Sequence, residues 1–226
     1  MSTSHEFHLM QLADSFFPSG LFGTSSGLES LVKTRRVKDI NAIIQFIRQQ
    51  IHFQLVPCDC AVLLSVMNAA GKNDLTSAIA ADNAYYSMKL VREARTVTVR
   101  SGRQLLNCIV HITQSRFARQ FRIKVMSGKS AGTQPACLAV AAHSLGVPRK
   151  SAVSMMLYSY SVSVVGSALR LGIIQHLDAQ KILTQLAADI DSINVKSGID
   201  ELWQLSPLMD ILQMQHERDD QRMFIT

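Results

Sequence analysis

Pro, Gly and Ser punctuate this chain in a few tight clusters: Phe17-Pro18-Ser19-Gly20, Val56-Pro57, Ala70-Gly71-Lys72-Asn73, 127–134, Gly146-Val147-Pro148 and Ser206-Pro207. The intervals between them run from 11 to 57 residues, long enough for one or more helices each and too long for single strands. Within the intervals apolar residues return at three- and four-residue spacing. Ile40, Ile43, Ile44, Ile47, Ile51 and Leu55 follow Asp39, which predicts an amphipathic helix over 39–55 with Asp39 as its N-cap. Leu75, Ile79 and Ala80 follow Asp74 in the same way, and Leu177, Ile182, Leu183, Leu186 and Ile190 are read as a helix capped by Asp178. No period-2 run is long enough for a sheet. Thr96-Val97-Thr98-Val99 is strand-like in composition but lies inside the helical pattern of 92–106, which takes precedence. The expected fold is all-α, a single compact multi-helix domain over 1–206 followed by a tail, 207–226.

Ser151 to Leu169 is a stretch of nineteen residues without a formal charge, long enough to raise the question of a membrane span. Six of those residues are serine, and Arg149, Lys150 and Arg170 flank the stretch, so a buried central helix is the better reading. Ser159, Ser163 and Ser167 fall at four-residue steps and line one face with small side chains, where a second helix or a second subunit can approach closely.

With 226 residues, 47% of them hydrophobic and 18% charged, the chain has the makings of one large packed core rather than a disordered or coiled-coil protein. Met1 to Glu6 contains no basic segment leading into an apolar one, so the expected location is the cytoplasm. The four cysteines, Cys58, Cys60, Cys108 and Cys137, are too few and scattered for a disulfide framework and are expected as free thiols. Charge is polarised along the chain: ten Lys or Arg face Glu93 alone between Lys89 and Lys129, and eight Asp or Glu face three basic residues from Asp189 onward. Such polarity suits protein association or nucleic-acid binding.

Candidate chemistry is sparse. Cys58-Asp59-Cys60 has no second Cys/His pair to complete a metal site, and His5 and His8, one helical turn apart, are the only imidazole pair. His216-Glu217 opens like a zinc-protease helix, but Asp220 stands where the second histidine belongs. Gly20, Gly23 and Gly27 lack the Lys-Ser/Thr of a phosphate-binding loop, and no Gly-x-Ser-x-Gly elbow singles out a serine. No catalytic residue, bound cofactor or metal ligand is therefore expected.

Three segments, taken together, resemble the urease accessory protein F (UreF) family. Leu12 to Glu29, LADSFFPSGLFGTSSGLE, is similar to the family's N-terminal signature and carries the match through Pro18, Gly20, Phe22, Ser25, Gly27, Leu28 and Glu29. Its glycines permit a sharp turn, with Glu29 in a helix beginning near Ser25. Arg92 to Leu106, REARTVTVRSGRQLL, is similar to the family's Arg-Glu-x-Arg helix ending in Gly-Arg-x-Leu-Leu, here Arg92, Glu93, Arg95, Gly102 and Arg103. Pro207 to Thr226, PLMDILQMQHERDDQRMFIT, is similar to the family's ending in His216, Glu217, Arg222 and Phe224. The chain departs from the family pattern at Ile173-Ile174, where Pro-Leu is usual, and at Thr133-Gln134, where a histidine precedes the proline.

The resemblance implies an all-helical homodimer without catalysis of its own. Its partners would be the accessory protein UreD/UreH, the GTPase UreG and the urease apoprotein, with nickel passing through the assembled complex rather than stably bound. Pro18, Gly20, Phe22, Glu29, Arg92, Glu93, Arg95, Gly102, Arg103, His216, Glu217, Arg222 and Phe224 are the partner-binding candidates it implies, and the tail would dock on UreD/UreH. The competing readings are a basic helical nucleic-acid-binding module and a helical metal-dependent enzyme.

Overall fold

In the computed structural model the described residues are 4–14, 16–17, 25–195 and 198–216, and among them the regular elements are helices, with no strand. The chain runs through α1 (Ser4–Ala13), α2 (Leu28–Lys33), α3 (Ile40–Gln50), a π-helical segment (Ile51–Cys60), α4 (Ala61–Gly71), α5 (Leu75–Met88), α6 (Arg92–Ile112), α7 (Arg116–Met126), α8 (Gln134–Ser144), α9 (Arg149–Arg170), α10 (His176–Asp191) and α11 (Pro207–His216). The expected all-α architecture is what forms.

Local chemistry sets the helix starts. Asp39 Oδ1 accepts from Ala42 N at 2.9 Å and Asp74 Oδ1 from Ser77 N at 3.0 Å, so both predicted caps are in place. The cap at 178 is corrected. Gln175 is the N-cap of α10, and Asp178 is the third helical residue, its carboxylate accepting from Gln175 N at 3.2 Å to close a reciprocal capping box. The first-turn carboxylate had the right type but stands three residues inside the boundary. The helix holding Glu29 likewise begins at Leu28, with Gly27 as its left-handed N-cap, rather than near Ser25.

Val56-Pro57 does not break the chain as its composition suggests. Helix continues from Ile40 to Gly71, passing Pro57 inside the π-helical segment. Proline has no N–H to give the carbonyl four residues earlier, Phe53. That carbonyl instead accepts from Leu205 N at 2.8 Å, and Pro57 O accepts from Trp203 N at 3.5 Å. The segment 203–205 is thus pinned to the carbonyls of Phe53 and Pro57.

α8 is the centre of the fold. Pro135 through Ala142 are all buried, on every side of the helix, because it lies between α4 and α6 with α5, α7 and α9 around it. Five of those eight residues are alanine or cysteine, which lets the neighbouring helices come close. α9 covers this layer and spans the predicted charge-free stretch. Its serines are placed as expected, Ser163 and Ser167 buried and Ser159 half-buried. Ser161 and Ser167 donate to the carbonyls of Leu157 and Ser163 at 2.8 and 2.9 Å, so burial leaves neither hydroxyl unpaired. Ile40–Gly71 and Arg149–Arg170 are long and apolar enough to cross a bilayer, yet 67% and 61% of their most apolar windows are buried within the fold, as in core helices of a globular protein.

Candidate functional site

Two buried carboxylates organise the polar interior. Asp82, fully buried on α5, holds the loop that leads into α8. Its Oδ2 accepts from Ser130 Oγ at 2.5 Å and Gly132 N at 2.7 Å, and its Oδ1 from Thr133 N at 2.9 Å and Thr133 Oγ1 at 2.5 Å. Four donors satisfy one carboxylate, which is the condition for burying it. Asn83 adds a bond from Nδ2 to Lys129 O at 3.0 Å and accepts from Ala131 N at 3.1 Å. From the opposite side α6 meets the same loop. Thr98 Oγ1 accepts from Gln134 N at 3.1 Å, Arg103 Nε donates to Ala131 O at 3.3 Å, and Gly102 lies directly against the backbone of Gly132 and Thr133. The Gly-Arg pair of the 92–106 motif therefore clamps the chain's own loop.

The second carboxylate, Asp59, sits at the end of the π-helical segment. Tyr85 Oη donates to Asp59 Oδ1 at 2.7 Å, and the buried Lys89 Nζ lies 3.5 Å from Asp59 Oδ2, 3.1 Å from Gln204 Oε1 and 4.4 Å from the centre of the Tyr85 ring. Gln204 Nε2 also donates to Met88 O at 2.9 Å. This network stands in the wall of a cavity of about 170 Å³, bordered also by Gln50, Tyr160 and Ser163 and overlaid by Met209 and Gln213 of α11. Burial first, then the neighbouring Asp59 charge, holds the Tyr85 phenol well above its usual range, so it stays a donor. Burial likewise pushes the Cys58 thiol up to about 12, and raises Cys60 and Cys137 well above the ordinary thiol value. These thiols are protonated at neutral pH and poorly nucleophilic. All four cysteines are free, as expected. Among the described residues no group of three or more His, Cys, Asp or Glu is placed to hold a metal ion.

Among the described residues, those of the motifs do not gather at one spot. Glu29 is buried on α2 and pairs with Lys33 at 3.3 Å. Arg92 is exposed and Glu93 half-buried at the start of α6, and the guanidinium of Arg95 lies 6.0 Å from the Tyr86 ring centre. Gly102 is buried and Arg103 exposed, both at the loop just described. His216 ends α11, its side chain outside the described residues, as are Pro18, Gly20, Phe22, Glu217, Arg222 and Phe224. Sequence reasoning passed over Asp82 and Lys89. Their signal is weak: an acidic residue inside the Ala-rich run Ala80-Ala81-Asp82-Asn83-Ala84, and a lysine at a helix end.

α11 has two apolar sides. Met209 and Leu212 are buried, with the Met209 side chain filling the space that a Cβ on Gly27 would take. Leu208, Ile211 and Met214 point outward and are 42%, 53% and 43% exposed.

Known proteins resemble this chain along its whole length. The Urease accessory protein UreF of Trichodesmium erythraeum (strain IMS101) is 30% identical over 224 residues, 98% of this chain and 97% of the relative. The Urease accessory protein UreF of Photorhabdus laumondii subsp. laumondii is 30% identical over 227 residues, 99% of each chain, and that of Yersinia enterocolitica 29% over the same length. The family model described as UreF matches residues 37–187, a span that takes in the Asp82 network, the Asp59–Tyr85–Lys89 part of the second network and the central helix α8. On that match and these relatives, the chain belongs to the UreF family.

Proposed function

We propose that this chain acts in urease maturation as a cytoplasmic, homodimeric scaffold without catalysis of its own. It links the accessory protein UreD/UreH to the GTPase UreG and assists nickel delivery to the urease apoprotein. Nickel is cargo that passes through the assembled complex, and the chain keeps no cofactor of its own. Relatives that match it end to end are named as urease accessory proteins, which supports the assignment to that process.

The observation that carries the docking role is the unpartnered apolar side of α11. An isolated helix of this length is marginal in water, and α11 is held by Met209 and Leu212 while Leu208, Ile211 and Met214 remain available at its surface. A helix with such a face fits an apolar groove on a partner that buries those three residues. The nucleic-acid reading, which rests on the arginines of the basic region, gains no stacking surface from Phe117 and Phe121: both are buried, with ring centres 6.5 Å apart.

Deleting residues 216–226 tests the reading. The shortened protein keeps Met209 and Leu212, so its helical signal, melting temperature and dimer mass by light scattering are expected to match the full chain, while capture of UreD/UreH is lost. Undiminished capture would overturn the docking role of the tail, and loss of folding would show the tail to be part of the core.

A further inference from the structure

The outer face of α6 and α7 concentrates positive charge that the fold does not neutralise. Arg100 and Arg103 on α6, and Arg116 and Arg119 on α7, are exposed, with Arg122 and Lys124 half-exposed among them. The two rows lie side by side, since Arg122 Nε donates to Asn107 Oδ1 at 2.8 Å across the helix pair. Among the described residues none of these six makes an ion pair. Between Lys89 and Lys129 the sequence offers one acid, Glu93, and Asp82 on the adjoining α5 is sealed inside by its four hydrogen bonds.

Like charges carried on one pair of neighbouring helices repel, and that repulsion is relieved when an opposite surface is brought against them. The face is not purely charged. Ile123 and Met126 are 62% and 69% exposed on α7, where helical spacing sets them on the same side as Arg116 and Arg119. Arginine interspersed with aliphatic side chains is the composition of a protein interface, whereas a single-strand nucleic-acid surface needs exposed aromatic rings.

We infer that the outer face of α6–α7 docks an acidic protein surface, through Arg100 on α6 and through Arg116 and Arg119 beside the exposed Ile123 on α7. This site is separate from the α11 tail. The identity of the partner as a member of the urease-maturation assembly rests on the function proposed above; the charge preference of the face does not.

The first arm of the test uses fluorescent poly-L-glutamate, titrated at physiological salt against the full chain, R100E/R116E/R119E and the charge-matched control K38E/K72E/R149E, whose replaced residues are exposed elsewhere. Arg103 and Arg122 are left intact because they brace the 130–133 loop and Asn107. The α6–α7 variant is expected to bind on the order of tenfold more weakly than wild type, with the control changed far less. Equal losses in both variants, or none in either, would overturn the inference, as would tighter binding of random-sequence DNA or RNA at the same salt. Should the glutamate variant melt early, R100Q/R116Q/R119Q gives the same comparison with a smaller loss expected. The second arm measures capture of UreG, UreD/UreH and apo-urease. Loss of one of them in the α6–α7 variant, with that partner still captured after deletion of 216–226, identifies the occupant. If wild type captures none of the three, the proposed function fails while the first arm still decides the face.

Discussion

Asp82→Ala is expected to destabilise the protein by about 3–5 kcal/mol, enough to abolish most of the stability of a typical domain. The carboxylate is fully buried and serves four donors on Ser130, Gly132 and Thr133. Alanine would leave two backbone N–H groups and two hydroxyls without an acceptor in a site closed to water, and each orphaned donor costs about 1–3 kcal/mol. The loop would then lose its hold on the start of α8, the helix around which the others pack. Asp82→Asn keeps the shape but turns one acceptor into a donor facing donors, and should fall between alanine and wild type. Urea denaturation followed by circular dichroism measures both. A loss under about 1 kcal/mol for Asp82→Ala would mean that the loop is secured by other contacts.

Gly102→Ala is expected to lose about 1–3 kcal/mol even though alanine is the better helix former. A Cβ at this position would stand 2.6 Å from the carbonyl oxygen of Thr133, and the obstacle is backbone already fixed by Asp82, not a side chain that can swing aside. At Gly166, inside α9, an added methyl group would meet nothing within 4 Å, and there the same change should stabilise by about 0.5–1 kcal/mol. Opposite signs for the two substitutions in one thermal-melting series would separate close backbone approach from helix propensity. A stabilising Gly102→Ala would refute the contact.

Periodicity made α3, α5, α6 and α10 legible in the sequence, and with the spacing of the turn clusters the all-α class, because amphipathic spacing reports directly which side of a helix is buried. Asp39 and Asp74 were readable as caps for the same local reason. Pro57 was not readable as helix interior, because what rescues it is Leu205, far away in sequence, donating to the Phe53 carbonyl. α8 as the centre was hidden too. A helix apolar all round has no face for periodicity to detect, and its rank comes only from what surrounds it. Within the candidate site, Gly102 was legible as a residue of the 92–106 motif, and the structure sets the backbone of Gly132 and Thr133 against it. Asp82 escaped notice because a buried carboxylate is identified by the donors that meet it, and three separate residues of a distant loop supply them.

On the proposed function, the chain presents docking faces on its helices and leaves the reaction to the molecules it holds. Reconstitution measures that directly: purified UreD/UreH, UreG, apo-urease, nickel and GTP, with and without this chain, followed by urease activity and the composition of the complex that forms. Active urease, and a complex containing both UreD/UreH and UreG, are expected to arise only when the chain is present. Equal activation in its absence, with UreD/UreH and UreG associating unaided, would refute the scaffold role.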